Sequence, residues 1–221
     1  MNQSIRIIVA DDHALFRSGI ISLLEDAREF FIVGQVENGQ ELMDKYFELK
    51  PDVILTDISM PFISGTDAVR RIKEKDSSVR ALFLSMHEGD EYIYYCLKAG
   101  GLGLISKNIL KGELIYAIRA VFNGQKYFGA KWTDEKLEQL ISKFDSFAGE
   151  DPTISNSLSE KELEILKLIG EGLTSSEIAE RTALGKRTID THRSHLMQKL
   201  NLKSLPELIR YAIQFSIKHH K

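Results

Sequence analysis

The sequence predicts an α/β domain built on a doubly wound, five-stranded parallel sheet, followed by a small all-α domain of four helices. Three observations carry that prediction. Five short apolar runs alternate with five amphipathic helical patterns over residues 1–128, and from residue 157 the pattern is helical throughout with compact connections. The net charge also changes sign, from −3 over residues 1–128 to +3 over residues 157–221. At 221 residues the chain is long enough for two cores.

The strand candidates are Ile5–Ala10, Phe30–Val36, Val53–Thr56, Ala81–Ser85 and Gly103–Ser106. They are rich in β-branched residues and do not alternate with polar ones, as strands buried on both faces of a parallel sheet require. Between them lie helical patterns at Leu15–Glu25, Gln40–Leu49, Thr66–Lys75, Glu91–Ala99 and Gly112–Phe122. In the first, Leu15, Ile20, Leu23 and Leu24 fall on one side at helical spacing. Parallel strands need helical crossovers on both faces, hence the doubly wound topology. In the fourth helix Tyr92, Tyr94 and Tyr95 read as partly exposed aromatics, and Cys96 as ordinary packing.

Residues 129–156 form a connecting stretch. TDEKLEQLISKFDSF places Leu137, Leu140, Ile141, Phe144 and Phe147 on one helical face, suited to packing on the first domain or to a dimer contact, and residues 149–156 read as linker. From residue 157 three capping boxes punctuate the helices: Ser159 with Glu162, Thr174 with Glu177, and Ser204 with Glu207. Gly170 and Gly172 close the first of these helices, Ala183-Leu184-Gly185 turns the second into the third, and a fourth spans Leu205–Phe215.

Composition narrows the class. A hydrophobic fraction of 43% with 28% charged residues is ordinary for a globular protein. No apolar run approaches the ~18 residues that cross a bilayer, and acids at Asp11 and Asp12 come too early for a secretory leader. Cys96 is the only cysteine, so an intrachain disulfide is excluded and a reducing cytoplasm is expected. The basic C-terminal module permits a polyanionic partner.

The strand ends hold the chemistry. The first strand runs into Asp11-Asp12, the third into Asp57, the fourth ends at Ser85 and the fifth reaches Lys107. In a parallel sheet these ends share one edge, where ligands bind. Clustered carboxylates repel unless a cation or proton neutralises them. Hard oxygen donors with an open face suit Mg2+, with Mn2+ as the alternative ion. A carboxylate beside such a cation and an ammonium can attack a phosphoryl donor to give an aspartyl phosphate.

The motifs ADDH, LTDISMP, LSMH and GLGLISK, in that order over residues 5 to about 125, resemble the receiver domain of two-component response regulators, a CheY-like, flavodoxin-like fold. The resemblance implies that Asp57 is the phosphoacceptor, Asp12 a direct metal ligand and Asp11 a ligand through water. It further implies that the Ser59 backbone carbonyl completes the metal site, Ser85 is the switch hydroxyl and Lys107 binds phosphate. One position departs from the pattern. Three residues before the lysine, where such receivers carry Tyr or Phe that moves with the switch hydroxyl, this chain has Leu104. His87 flanks the site and is a candidate for tuning dephosphorylation.

The second informative stretch is Gly185–Leu200. Ile189, Leu196 and Leu200 share one side of a helix and face the small core, while Thr188, Thr191, Arg193, Ser194, His195 and Gln198 suit base edges and phosphates. Lys186, Arg187, Lys199 and Lys203 flank them, and Asp190 repels phosphate unless it accepts from a cytosine amine. A capped helix, a short turn and this helix make a helix-turn-helix whose second helix enters the major groove. His192 and His195 have no third ligand for a metal. The run from Leu158 to Ser204 resembles the LuxR-type DNA-binding domain, with LTSSEIA and RTIDTHRSHLMQKL its most specific parts.

Together the halves resemble a NarL/FixJ-type response regulator: a receiver over 1–128, a linker with an amphipathic helix over 129–156, and a DNA-binding domain over 157–221. The resemblance implies a histidine kinase that phosphorylates Asp57, a homodimer when phosphorylated, a two-fold DNA operator, no membrane, and no enzymatic turnover beyond its own aspartyl phosphate. Two other classes compete. A regulator that binds DNA without phosphorylation is suggested by Leu104. A phosphatase working through an aspartyl phosphate would want an acid two residues after the nucleophile, where Ser59 stands.

Overall fold

A computed structural model describes residues 4–86, 89–146, 158–202 and 205–219. His87, Phe147, the 149–156 linker, Lys203, the Ser204 cap and His220 lie outside these residues. The chain divides into two compact units, Met1–Leu137 and Glu138–Lys221. Among the described residues no helix is long and apolar enough to cross a membrane.

The first unit alternates strand and helix: β1 (Ile5–Ala10), α1 (Ala14–Glu25), β2 (Phe30–Val36), α2 (Gly39–Leu49), β3 (Val53–Asp57), α3 (Gly65–Lys75), β4 (Ala81–Ser85), α4 (Asp90–Lys98), β5 (Gly103–Ser106) and α5 (Lys111–Phe122). The sheet is parallel with order β2-β1-β3-β4-β5. The strand order reverses between β1 and β3, which opens a crevice at their carboxyl ends. Isoleucines, valines and leucines of the central strands are wholly buried because helices cover both faces. Ile7, Val9, Leu55, Leu82 and Leu84 meet Leu24, Leu114 and Ile118 in the larger core.

Local chemistry sets the helix starts. Asn38 caps α2 by accepting from the Glu41 N–H at 3.0 Å, and Ser64 caps α3 by accepting from Asp67 at 3.1 Å. Two expectations are corrected. Leu15 is 89% exposed, and the buried side of α1 is Ile20, Ile21 and Leu24. Leu15 and Leu24 are nine residues, about two and a half turns, apart, so they point to opposite sides of α1. Tyr94 and Tyr95 are buried together with Ile93 and Cys96, four consecutive residues, so α4 is enclosed over most of its circumference there.

Gly65 brings α3 against the end of β3. Its N–H donates to the Ile58 carbonyl at 2.9 Å, and a Cβ there would lie 1.9 Å from the Asp57 carbonyl oxygen. No other residue fits without displacing the backbone that carries Asp57.

After α6 (Asp134–Ser146), the second unit holds α7 (Glu160–Gly170), α8 (Ser175–Thr182), α9 (Lys186–Lys199) and α10 (Leu205–His219). Ser159 with Glu162 and Thr174 with Glu177 form complete capping boxes. Ala183 adopts a left-handed conformation at φ 54° and ends α8, so the chain reverses into α9 within three residues. Ile189, Leu196 and Leu200 are buried with Ile165, Leu166 and Leu208. In α6, Leu137, Leu140 and Phe144 are buried.

A Gly65→Ala substitution should destabilise the first unit by about 2–3 kcal/mol through overpacking against the Asp57 carbonyl. Urea unfolding checks this; a change below about 0.5 kcal/mol would mean that the α3–β3 contact yields easily.

Candidate functional site

β1 and β3 are hydrogen-bonded neighbours with Ala10 opposite Thr56, so the residues that follow them, Asp11 and Asp57, emerge side by side. Both are buried, whereas Asp12 is exposed. Lys107 reaches in from the end of β5. Its Nζ donates to Asp57 Oδ2 at 2.5 Å and is ion-paired with Asp11 Oδ2 at 2.8 Å. The Ser59 N–H donates to Asp57 Oδ1 at 3.3 Å. Ser85 is buried at the end of β4, and its carbonyl accepts from the Lys107 N–H at 2.8 Å. The structure thus brings Asp11, Asp12, Asp57, Ser59, Ser85 and Lys107 to one sheet edge.

The electrostatics follow from burial. Desolvation pushes the Asp57 carboxyl up to about 7, with Asp11 adding to the rise while Lys107 and the Ser59 N–H oppose it. Burial also works against the Lys107 charge, yet Asp57 and Asp11 outweigh it and hold the ammonium above its ordinary range. One lysine therefore under-compensates two buried carboxylates. Asp11, Asp12, His13 and Asp57 each offer a ligand atom within 4.8 Å of the others. Asp11 Oδ2, which shares the single Lys107 ammonium with Asp57, is an atom a further cation would satisfy, and the oxygen-rich set fits a hard divalent ion such as Mg2+.

Several residues around this site escaped the sequence reading. Arg17 on α1 donates to the Asp11 carbonyl and, at 2.6 Å, to Glu37, so it ties the β1–α1 loop to the end of β2. The Phe16 ring lies 4.7 Å from Lys107 Nζ and shields the lysine stem. His13 Nδ1 sits 2.9 Å from Asp12. Only the position of these three residues just after the acids, on the first turn of α1, hinted at such roles. Leu104, on β5 opposite Phe83, is buried.

The second candidate site is the outer side of α9. Lys186, Arg187, Thr188, Asp190, Thr191, Ser194, His195 and Lys199 are exposed, as a groove-reading helix requires. Two basic residues have partners within their own unit. Arg193 is half-buried and donates to the Leu173 carbonyl at 2.9 Å, bracing α9 against the turn before α8. Lys199 donates to Glu162 at 2.7 Å, linking the end of α9 to the capping box of α7. The hydrogen bond from Lys199, opposed by partial burial and aided by Ser159, holds the Glu162 carboxyl down at about 2.

Comparison with known proteins agrees with this geometry. The response regulator receiver domain family matches residues 7–119, and the luxR family of bacterial regulatory proteins matches residues 156–212. The oxygen regulatory protein NreC of Staphylococcus carnosus is 37% identical over 214 residues, covering 95% of this chain and 97% of that protein. NreC of Staphylococcus aureus (strain JH9) is 36% identical over 210 residues, covering 95% and 97%. Among solved structures, RcsB from Salmonella enterica serovar Typhimurium, bound to promoter P1flhDC in the presence of phosphomimetic BeF3−, superposes with a TM-score of 0.57 at 25% identity, over 96% of this chain and 99% of that one. The signal receiver domain of the response regulator NarL from Mycobacterium tuberculosis gives 0.54 at 27% identity, over 56% and 99%.

Saturating Mg2+ should raise the melting temperature of the first unit; at a hundredfold excess over Kd the gain is about 2.7 kcal/mol. Asp12→Ala should remove most of that gain, and calorimetry showing it intact would place the ion elsewhere. In the second unit, Glu162 held at about 2, below its ordinary 4.5, stabilises fully above pH 4.5 and loses its contribution as pH falls towards 2. Lys199→Ala, removing a half-exposed partner, should cost about 1 kcal/mol at neutral pH and flatten this acid dependence. An unchanged acid unfolding midpoint would remove the Glu162–Lys199 pair from the stability of the unit.

Proposed function

Because the chain belongs to the two-component response regulators that join a receiver domain to a luxR-family DNA-binding domain, we propose that it accepts a phosphoryl group on Asp57 from a histidine kinase and thereby controls DNA binding and transcription. The observation that carries this reading is Asp57 at the sheet edge, ion-paired to Lys107 at 2.5 Å beside Asp11 and Asp12. A lone buried acid would serve no purpose there; an acid among cations can attack phosphorus.

In this mechanism an Asp57 oxygen forms the new O–P bond as the N–P bond of the kinase phosphohistidine breaks, and the released imidazole takes a proton from solvent. Lys107 shifts its charge from the Asp57 carboxylate to the phosphoryl oxygens. Ser85, next to Asp57 across β4, donates to one of those oxygens. Asp11, Asp12, Asp57 and the Ser59 carbonyl would hold Mg2+, which neutralises charge on the transferring group. A divalent cation also favours the ionised form of Asp57, which burial alone holds near 7.

The receiver occupies residues 1–128, a linker with α6 covers 129–156, and the DNA-binding domain begins at 157. Phosphorylation shifts the receiver towards a form that supports a homodimer on a two-fold operator. Lys186, Arg187 and Lys199 meet phosphates, while Thr188, Asp190, Thr191, Ser194 and His195 face base edges. Arg193 acts chiefly as a brace, given its bond to the Leu173 carbonyl. Such a regulator works in the cytoplasm, where DNA, kinase catalytic domains and reduced thiols are found.

Fluorescence anisotropy with an operator duplex tests the reading. Mg2+ with BeF3− should tighten DNA binding about tenfold in the native chain and leave Asp57→Ala unchanged. Equal affinity in all conditions would favour a regulator that binds DNA without phosphorylation. Arg187→Ala should weaken binding to all sequences and lower the salt slope by about 1; an unaltered slope would remove Arg187 from the phosphate contacts.

A further inference from the structure

β5 has a partner beyond the predicted sheet. The Tyr127 N–H donates to the Leu102 carbonyl at 2.8 Å and the Leu104 N–H donates to the Tyr127 carbonyl at 3.1 Å, which makes a parallel bridge between Gly103 and Tyr127. The Tyr127 hydroxyl donates to Glu113 on α5 at 2.8 Å, and its ring meets Tyr116 edge-on with centroids 5.3 Å apart. Phe128 is buried. Two left-handed glycines bracket the stretch, Gly124 at φ 76° and Gly129 at φ 87°. A turn then closes with the Trp132 N–H donating to the Gly129 carbonyl at 3.1 Å. The Trp132 side chain is half-buried, and its Nε1 is enclosed with no acceptor among the described residues.

This segment walls a cleft of about 370 Å3 at the α4–β5–α5 side, bordered by Ile93, Leu104, Leu110, Phe128 and Trp132. The cleft lies beside the position where receivers of this pattern carry a moving aromatic ring and this chain carries Leu104. Here a cleft with room for a ring, a leucine in place of a ring, and an indole on a glycine-flanked segment hydrogen-bonded to that leucine stand together.

We propose that Trp132 is the moving ring: it repacks in the cleft when Asp57 is phosphorylated, and the Gly124–Trp132 segment carries the change towards α6, which begins two residues later. The connection is continuous. Ser85 pairs with Ser106 across β4 and β5, the Lys107 N–H is bonded to the Ser85 carbonyl, and two residues before Ser106 the Leu104 N–H is bonded to Tyr127. A shift at the end of β4 thus pulls on β5 and, through two backbone hydrogen bonds, on the segment that bears Trp132. The positive φ of Gly129 lets the turn carrying Trp132 pivot without distorting the bridge at Tyr127.

This inference rests on Asp57 being the phosphoacceptor, and the test separates the two. Trp132 is the only tryptophan in the chain, so emission reports on this one site. Acrylamide quenching of the full chain is measured with Mg2+ alone and with Mg2+ plus BeF3−, with fluorine NMR following bound fluoride in the same samples. The quenching constant should change at least twofold once fluoride is bound. Trp132→Ala should keep the bound-fluoride signal yet lose the gain in DNA affinity, and Trp132→Phe should retain at least half of it. Bound fluoride with unaltered quenching, or a full DNA response in Trp132→Ala, would overturn the proposal. No bound fluoride in the native chain would overturn the phosphoacceptor reading itself, and this one with it. Should Trp132→Ala fail to fold by circular dichroism, the native quenching result decides alone.

Discussion

Two buried carboxylates share one ammonium, and the first unit is arranged around that imbalance. Asp11 and Asp57 are adjacent because β1 and β3 are neighbours, and Lys107 reaches both because β5 ends at the same edge. Unit charges ~4 Å apart interact by about 4 kcal/mol at the effective dielectric near a protein surface, so small displacements are costly. Gly65 sets the loop behind Asp57, Arg17 holds the Asp11 carbonyl, and Phe16 backs Lys107. Burial still prevails at Asp57, whose carboxyl stands near 7. The fold thus holds Asp57 where an added cation would favour its ionised form.

The second unit shows the opposite economy of charge. Complete capping boxes satisfy the starts of α7 and α8, and the acid Glu162 is bonded by both Ser159 and Lys199. The outer side of α9 is left to solvent while its middle is tied through Arg193 to Leu173 and its C-terminal end through Lys199 to Glu162. The first unit thus concentrates buried, under-compensated charge, whereas the second pairs its buried acid with a hydroxyl and an ammonium.

Much of this was legible from residue types alone. Strand runs such as Ile5–Ala10 and Ala81–Ser85 agree with the structure end to end, because a strand buried on both faces must be apolar at every position. The acids and Lys107 were legible for a related reason: charged residues abutting such runs have no structural excuse. What escaped detection depends on tertiary neighbours. Leu15 is apolar, yet it lies about two and a half turns from Leu24 and so on the outer side of α1. Tyr94 and Tyr95 look amphipathic in sequence, but the sides of α4 that bear them are enclosed. The bridge at Tyr127 has no periodicity to betray it, being one residue pair long. The carbonyl partner of Arg193 and the carboxylate partner of Lys199, 20 and 37 residues away, leave no signal in the pattern of α9 itself.

On α9 the Thr191 hydroxyl donates to the Arg187 carbonyl at 2.9 Å and the Ser194 hydroxyl donates to the Asp190 carbonyl at 3.0 Å. Each hydroxyl has one proton, and here it points back along the helix. What these side chains turn outwards is therefore lone pairs, beside the carboxylate of Asp190. A duplex laid along this helix would meet a small acceptor field, with Lys186 and Arg187 at its margin. The edges that complement acceptors in a major groove are the exocyclic amines of adenine and cytosine. The outer side of α9 thus offers hydroxyl and carboxylate acceptors among its basic residues, a polarity that its overall positive charge conceals.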